Sequence, residues 1–253
     1  MFPRKIRVCE LFGIPIFLDF SLIILLVMFV MDFGSFTYGL SFALALAVSI
    51  TLHELGHALT ARAFGYRTRD ITLSLLGGCA SLIALPRKAS QEFVTAVAGP
   101  LVSFAISGLA WLALAFLPIS NPWTVNMLAY TFWMNIVLGG FNLLPGFPMD
   151  GGRIFRSVAR IFTTRAKATY IAMIVGRGFA ILLALRGLHS LVTGGGWGFI
   201  SLLIAWMIWR EGWREYQQAL IDEQWGGPWD WSARVSPPPY GGDEDDVELR
   251  RRR

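Results

Sequence analysis

The chain has 253 residues, of which 55% are hydrophobic, 14% aromatic and only 15% charged, with a formal net charge of +5. A water-soluble domain of this length carries about a quarter charged residues, so composition excludes an ordinary soluble enzyme and indicates an integral membrane protein. The basic residues gather at the termini and in alternate loops between apolar runs, which accounts for the charge without a nucleic-acid partner.

The first apolar run covers 14–32. It follows Arg4, Lys5 and Arg7 and lacks a small-residue cleavage site, so a retained span is expected rather than a removed signal. The second run covers 41–64. Its first half is free of charge, and its second half carries His53-Glu54-Leu55-Gly56-His57. On a helix, residues four apart share one face, so His53 and His57 can hold one metal ion, with Glu54 beside them as a base. This is the H-E-x-x-H pattern of zinc peptidases. A structural histidine pair is the plainer alternative, but it leaves Glu54 unexplained. Ionisable groups at bilayer depth are costly and mark a functional site by default.

Residues 66–85 are too short and polar to span. Ile71, Leu73 and Leu75 alternate with Thr72 and Ser74, and Gly77-Gly78 follows, which predicts a β-hairpin at the membrane. It is either a surface hairpin or a free edge that pairs with an unwound substrate. The third span, 92–117, contains Ala98-Gly99-Pro100 and further small residues suited to close helix packing.

The fourth span, 124–144, closes on Asn142-Leu143-Leu144-Pro145-Gly146-Phe147-Pro148-Met149-Asp150-Gly151-Gly152. Two prolines break the helix, and irregular backbone at membrane depth is tolerated only inside protein or along a water-filled cavity. Asp150 therefore reaches about the depth of the two histidines and is the candidate third metal ligand. The alternative is a cap for the next helix. Asn142 is a candidate oxyanion donor or a helix–helix hydrogen-bonding residue. Spans five and six cover 168–188 and 197–213. Arg177 lies midway along the fifth, lining a water cavity or paired with a carboxylate, and His189 falls at its far end. Residues 1–213 form the expected core. Residues 214–253, with three consecutive prolines, an acidic run and four terminal arginines, form a largely disordered cytoplasmic tail. Cys9 and Cys79 fall on the predicted cytoplasmic side, where a disulfide is not expected. Cys79 is a lesser alternative as third ligand.

Of the 22 Lys and Arg residues, all but Arg177 and Arg186 lie before span one, around the loops after spans two and four, or at and beyond the end of span six. The connections near 33–40, 118–123 and 189–196 contain none. This bias predicts cytoplasmic termini and a multi-pass protein of the cell membrane. At 1.5 Å per residue the histidines lie roughly 10–16 Å inside the membrane from its cytoplasmic face. The predicted fold is all-α and polytopic, with about six transmembrane helices and one small membrane-associated β-hairpin.

The H-E-L-G-H and N-L-L-P-G-F-P-M-D-G-G segments, with Ala98-Gly99-Pro100 as a weaker feature, resemble the paired signatures of the site-2 proteases, the intramembrane zinc metalloproteases. The resemblance covers about residues 1–210. It implies Zn2+ held by His53, His57 and Asp150, Glu54 as general acid/base, and transmembrane protein substrates cut in regulated intramembrane proteolysis. Many relatives carry a PDZ domain or a cystathionine-synthase-type domain. No segment here is long enough for either, so a minimal form is expected, in contact with membrane lipids. A non-catalytic scaffold or chaperone on the same fold is the alternative, and a metal transporter a weaker third. Substrate identity and oligomeric state stay open.

Overall fold

The computed structural model describes residues 5–32, 34–74, 77–82, 88–194 and 198–224. It opens with two strands, β1 (Lys5–Leu11) and β2 (Ile14–Asp19), joined through Phe12 and Gly13, which both have positive φ. A two-residue turn of that kind matches the right-handed twist of an antiparallel pair. Helix α1 (Phe20–Asp32) follows, with Asp19 accepting a hydrogen bond from the Ser21 amide at 2.9 Å. The expected first span, 14–32, is thus strand over its first 6 residues and helix over the remaining 13. Its helix has 13 residues, about 20 Å of rise, against a hydrocarbon core of about 30 Å. Hydropathy alone does not separate a buried strand from a helix when both are apolar, and here the two run together.

Helix α2 (Phe36–Ala63) has 28 residues. Strands β3 (Thr68–Ser74) and β4 (Gly77–Leu82) then form the expected hairpin, with Gly77 and Gly78 paired inside β4 and not at the turn where the sequence placed them. It does not stand alone: β3 pairs in parallel with β2, giving a four-stranded sheet in the order β1-β2-β3-β4. The sheet buries Ile14, Ile16, Ile71 and Leu73 against Ile50, Leu55 and Ala58 of α2. That packing lays the sheet along the half of α2 that carries the histidines. Leu75 and Ile83 of the expected hairpin, and the side chain of Cys79, lie outside the described residues.

Helices α3 (Ala89–Phe116), α4 (Pro122–Asn142), α5 (Asp150–Ala159), α6 (Arg165–Val192) and α7 (Gly198–Gln224) complete the chain. Asn121 caps α4 through its side chain. Among the described residues α2, α3 and α6 are long and apolar enough to cross a membrane by length and composition. The protein is therefore mostly helical, with candidate membrane helices and a small sheet larger than the single hairpin expected. Helix α7 continues past residue 213 to Gln224, because Arg165 and Ala166 at the start of α6 hold Asp222 and Glu223. The rest of the expected tail lies outside the described residues.

Candidate metal centre

His53 and His57 stand one turn apart on α2 and are 2% and 5% exposed. Their rings meet edge to face at 4.9 Å. Each Nε2 lies 3.1 Å from Oδ2 of Asp150. The three side chains come from α2 and from the first residue of α5, 93 and 97 positions apart in sequence. They form a buried group whose ligand atoms lie within 4.8 Å of one another.

The outer ring nitrogens are both tied to α3. His57 Nδ1 lies 2.7 Å from the Thr95 carbonyl, and His53 Nδ1 lies 2.9 Å from Ser103 Oγ. A carbonyl only accepts, so His57 Nδ1 carries the proton. In the neutral ring its Nε2 then presents a lone pair towards the Asp150 carboxylate. A hydroxyl accepts as well as donates, so Ser103 Oγ can hold His53 in the same tautomer, and two Nε2 lone pairs facing a carboxylate would then fit a cation between them. Fixing the outer nitrogen while the inner one ligates is how proteins orient metal-binding histidines. The donor set, two imidazoles and one carboxylate, fits zinc.

The local sequence makes this convergence feasible. Gly99 faces both rings, and a Cβ there would overlap the His57 ring and come within 2.7 Å of His53 Nε2. Only a glycine lets α3 approach so closely. The segment after α4 is anchored by Phe147 and Met149, 1% and 3% exposed, with Met149 packed on Ala180, Ala205 and Ile208. The chain thus turns where Pro145 and Pro148 end helical pairing, and delivers Asp150 at the start of α5.

Glu54 is buried beside His53, and strand β4 lies over its stem: a Cβ on Gly78 would overlap Glu54 Cγ. A cavity of about 380 Å³ reaches His53, Glu54, His57 and Asp150. Its wall includes Asn142, Leu138 and Phe141 of α4 and the polar face of α7 around Arg210 and Glu211. Asn142 Nδ2 donates to the Leu138 carbonyl at 2.9 Å, within its own helix. A primary amide has a second N–H, so this bond leaves the side chain one donor. Arg177, expected to line a water cavity or pair with a carboxylate, lies over the rings of Trp209 and Trp213, 4.5 and 5.4 Å from their centroids. His189 stands near the C-terminal end of α6, outside the metal-ligating group. Sequence reading missed Ser103, the Thr95 carbonyl and Gly78. Ser103 had a signal, since it lies four residues after Gly99 on the same helical face.

A family model described as Peptidase family M50 matches residues 41–122 and 118–185, which include all four of these side chains. A zinc metalloprotease of Methanocaldococcus jannaschii is 37% identical over 195 residues, covering 74% of this chain and 55% of its own length. A candidate zinc metalloprotease of Synechocystis sp. is 33% identical over 240 residues, covering 87% of this chain and 62% of its own. The chain thus spans between half and two thirds of these relatives. The solved structure of the site-2 protease from M. jannaschii superposes with a TM-score of 0.66 at 29% identity, covering 94% of this chain and 100% of that one.

Proposed function

This chain belongs to peptidase family M50, the site-2 protease family, and on that premise we propose that it is an intramembrane zinc endopeptidase cutting membrane-tethered proteins within or near their transmembrane segments. The observation that carries this reading is the buried His53–His57–Asp150 group with Glu54 in the same cavity. Zinc, when bound, supplies electrophilic polarisation of the scissile carbonyl and makes water acidic enough to attack near neutral pH. His53, His57 and Asp150 would hold it. Glu54 accepts the proton of the attacking water and returns it to the leaving amine. Asn142, with its remaining N–H, lines the cavity wall as an oxyanion donor.

Water reaches the site through the cavity, and strand addition requires an extended partner, so a helical membrane segment must arrive unwound. Edge strand β4 lies over Glu54 and supplies backbone groups for strand addition at the reacting centre. Six spans, with α1 at 13 residues crossing where the bilayer thins around it and both termini cytoplasmic in the cell membrane, complete the proposal, and the arginine and lysine bias supports that orientation. A non-catalytic scaffold is the alternative, and Glu54 argues against it, because a scaffold needs no base beside its ligands.

The test is purified protein in detergent against a membrane-segment substrate. Glu54→Gln should keep about one zinc per chain while cleavage falls by about 10²–10⁴-fold, the usual worth of such a group. Residual cleavage near the wild-type rate, or no zinc in the wild type, would remove the assignment.

A further inference from the structure

The third ligand depends on a short helix. Asp150 opens α5, which has 10 residues and no capping side chain at its start. Its position must come from contacts elsewhere, and Arg156 supplies them. Arg156 is 2% exposed, among the most buried charges described. Its Nη2 and Nε lie 2.6 and 2.8 Å from Glu92 Oε1 on α3. Its Nη1 lies 2.9 Å from Glu215 Oε2 on α7. Its guanidinium also covers the ring of Phe147 at 4.9 Å, and Phe147 is buried three residues before Asp150. One side chain therefore grips the segment before the ligand while standing on the helix that follows it.

The anchor it chooses is informative. Glu92, Thr95, Gly99 and Ser103 succeed one another on α3 at intervals of three, four and four residues, which is one helical face. Thr95 and Ser103 orient His57 and His53, and Gly99 receives both rings. Glu92 receives Arg156. The same face of α3 thus sets the two histidines directly and Asp150 through α5. We propose that Arg156 is the positioning residue for the third metal ligand. This rests on Asp150 being a ligand. Arginine suits the task because its planar fork holds two carboxylates in a fixed geometry while its face covers Phe147; a lysine ammonium has three donors but no such plane. Arg160 Nη1 also reaches Glu92, at 2.9 Å. Loss of Arg156 therefore leaves that buried carboxylate with a partner, and the variant is expected to fold.

The experiment uses the full chain in detergent, with zinc affinity by chelator competition and the visible absorption of the Co2+-loaded protein as readouts. Arg156→Gln should raise the zinc Kd about 10–100-fold, the usual effect of altering a group that orients a ligand. It should also weaken and shift the cobalt bands, with size-exclusion profile and helix content unchanged. Arg156→Lys should fold and fall between. Arg160→Gln, which shares Glu92 but lies farther from Asp150, should leave both readouts at wild type. Wild-type zinc affinity and cobalt spectrum in Arg156→Gln, or in Arg156→Lys should Arg156→Gln not fold, overturn the proposal. So do equal losses in Arg156→Gln and Arg160→Gln, which mean general support by the ion-pair network. Asp150→Ala is run alongside: an unchanged cobalt spectrum there removes Asp150 as a ligand and leaves the reading of Arg156 without its object.

Discussion

At the scale of single residues, the site depends as much on an absent side chain as on those present. Gly99 is the point where α3 meets both imidazoles. The contact is with ring atoms held at their far sides by Thr95 and Ser103, so neither ring has room to retreat. Gly99→Ala should therefore lower zinc affinity by at least about tenfold, comparable to disturbing a ligand's orientation, while adding a residue of better helix propensity. Metal content of the purified variant checks this. Gly78 has the matching role beneath Glu54, but its loss should reduce cleavage while sparing zinc. The types and spacing of His53, Glu54, His57 and Asp150 were legible because the chemistry fixes them. Gly99 was legible as a packing residue and Gly78 as part of the hairpin, but not what they admit, because a glycine in sequence does not say what approaches it.

At the scale of elements, the sheet redistributes the expected roles of the hairpin. Ile71 to Leu75 show the clearest alternation and look like an edge in isolation. Strand β3 is instead enclosed by β2 and β4, and β4 is the edge nearest the site. Proline at Ile71 or Leu73 should cost expression and stability, because it removes an interior ladder bond. In β4, proline at alternate positions should abolish cleavage without loss of fold, and at the intervening ones should lower stability. A scan of β4 that leaves cleavage unchanged throughout would remove the strand from substrate binding.

The sheet also has a titrating anchor. Asp70 is buried in β3 near Lys5 and Arg69. Burial alone would push its carboxyl up, but a hydrogen bond from Ser81 and the charges of Arg69 and Lys5 outweigh it and hold it below the usual carboxylate range. A group whose pKa is depressed on folding stabilises the fold above its unfolded value, about 3.9, and loses that contribution as pH falls through its folded value. Protection of the β3 and β4 amides, relative to their intrinsic exchange rates at each pH, should therefore fall below about pH 4, and Asp70→Asn should flatten that dependence.

At the scale of the whole molecule, the proposed orientation can be tested by labelling. In a background lacking Cys9 and Cys79, single cysteines near 36, 120 and 194 should react with an impermeant reagent from outside the cell, and those near 68, 88 and 164 should not. The reverse pattern would place the metal centre near the outer face. Positions 36 and 68 flank α2, so this pair tests the helix that carries the histidines.

The sequence by itself determined the candidate site. The types of its residues, the spacing of His53 and His57 on one helical face and the placement of all of them in or beside apolar runs are local properties that the sequence reports directly. Tertiary structure alone decided the rest. It split residues 14–32 into strand and helix, because pairing with β1 and β3 is a long-range event that hydropathy does not register. It gave Arg177 to tryptophan rings and Arg156 to two distant carboxylates, because a buried charge takes the partner that packing presents. It set the means by which Asp150 meets two histidines more than ninety residues away: a face of α3 on which Glu92 and Thr95 carry no signal in sequence and, with Ser103, act only when the helices pack.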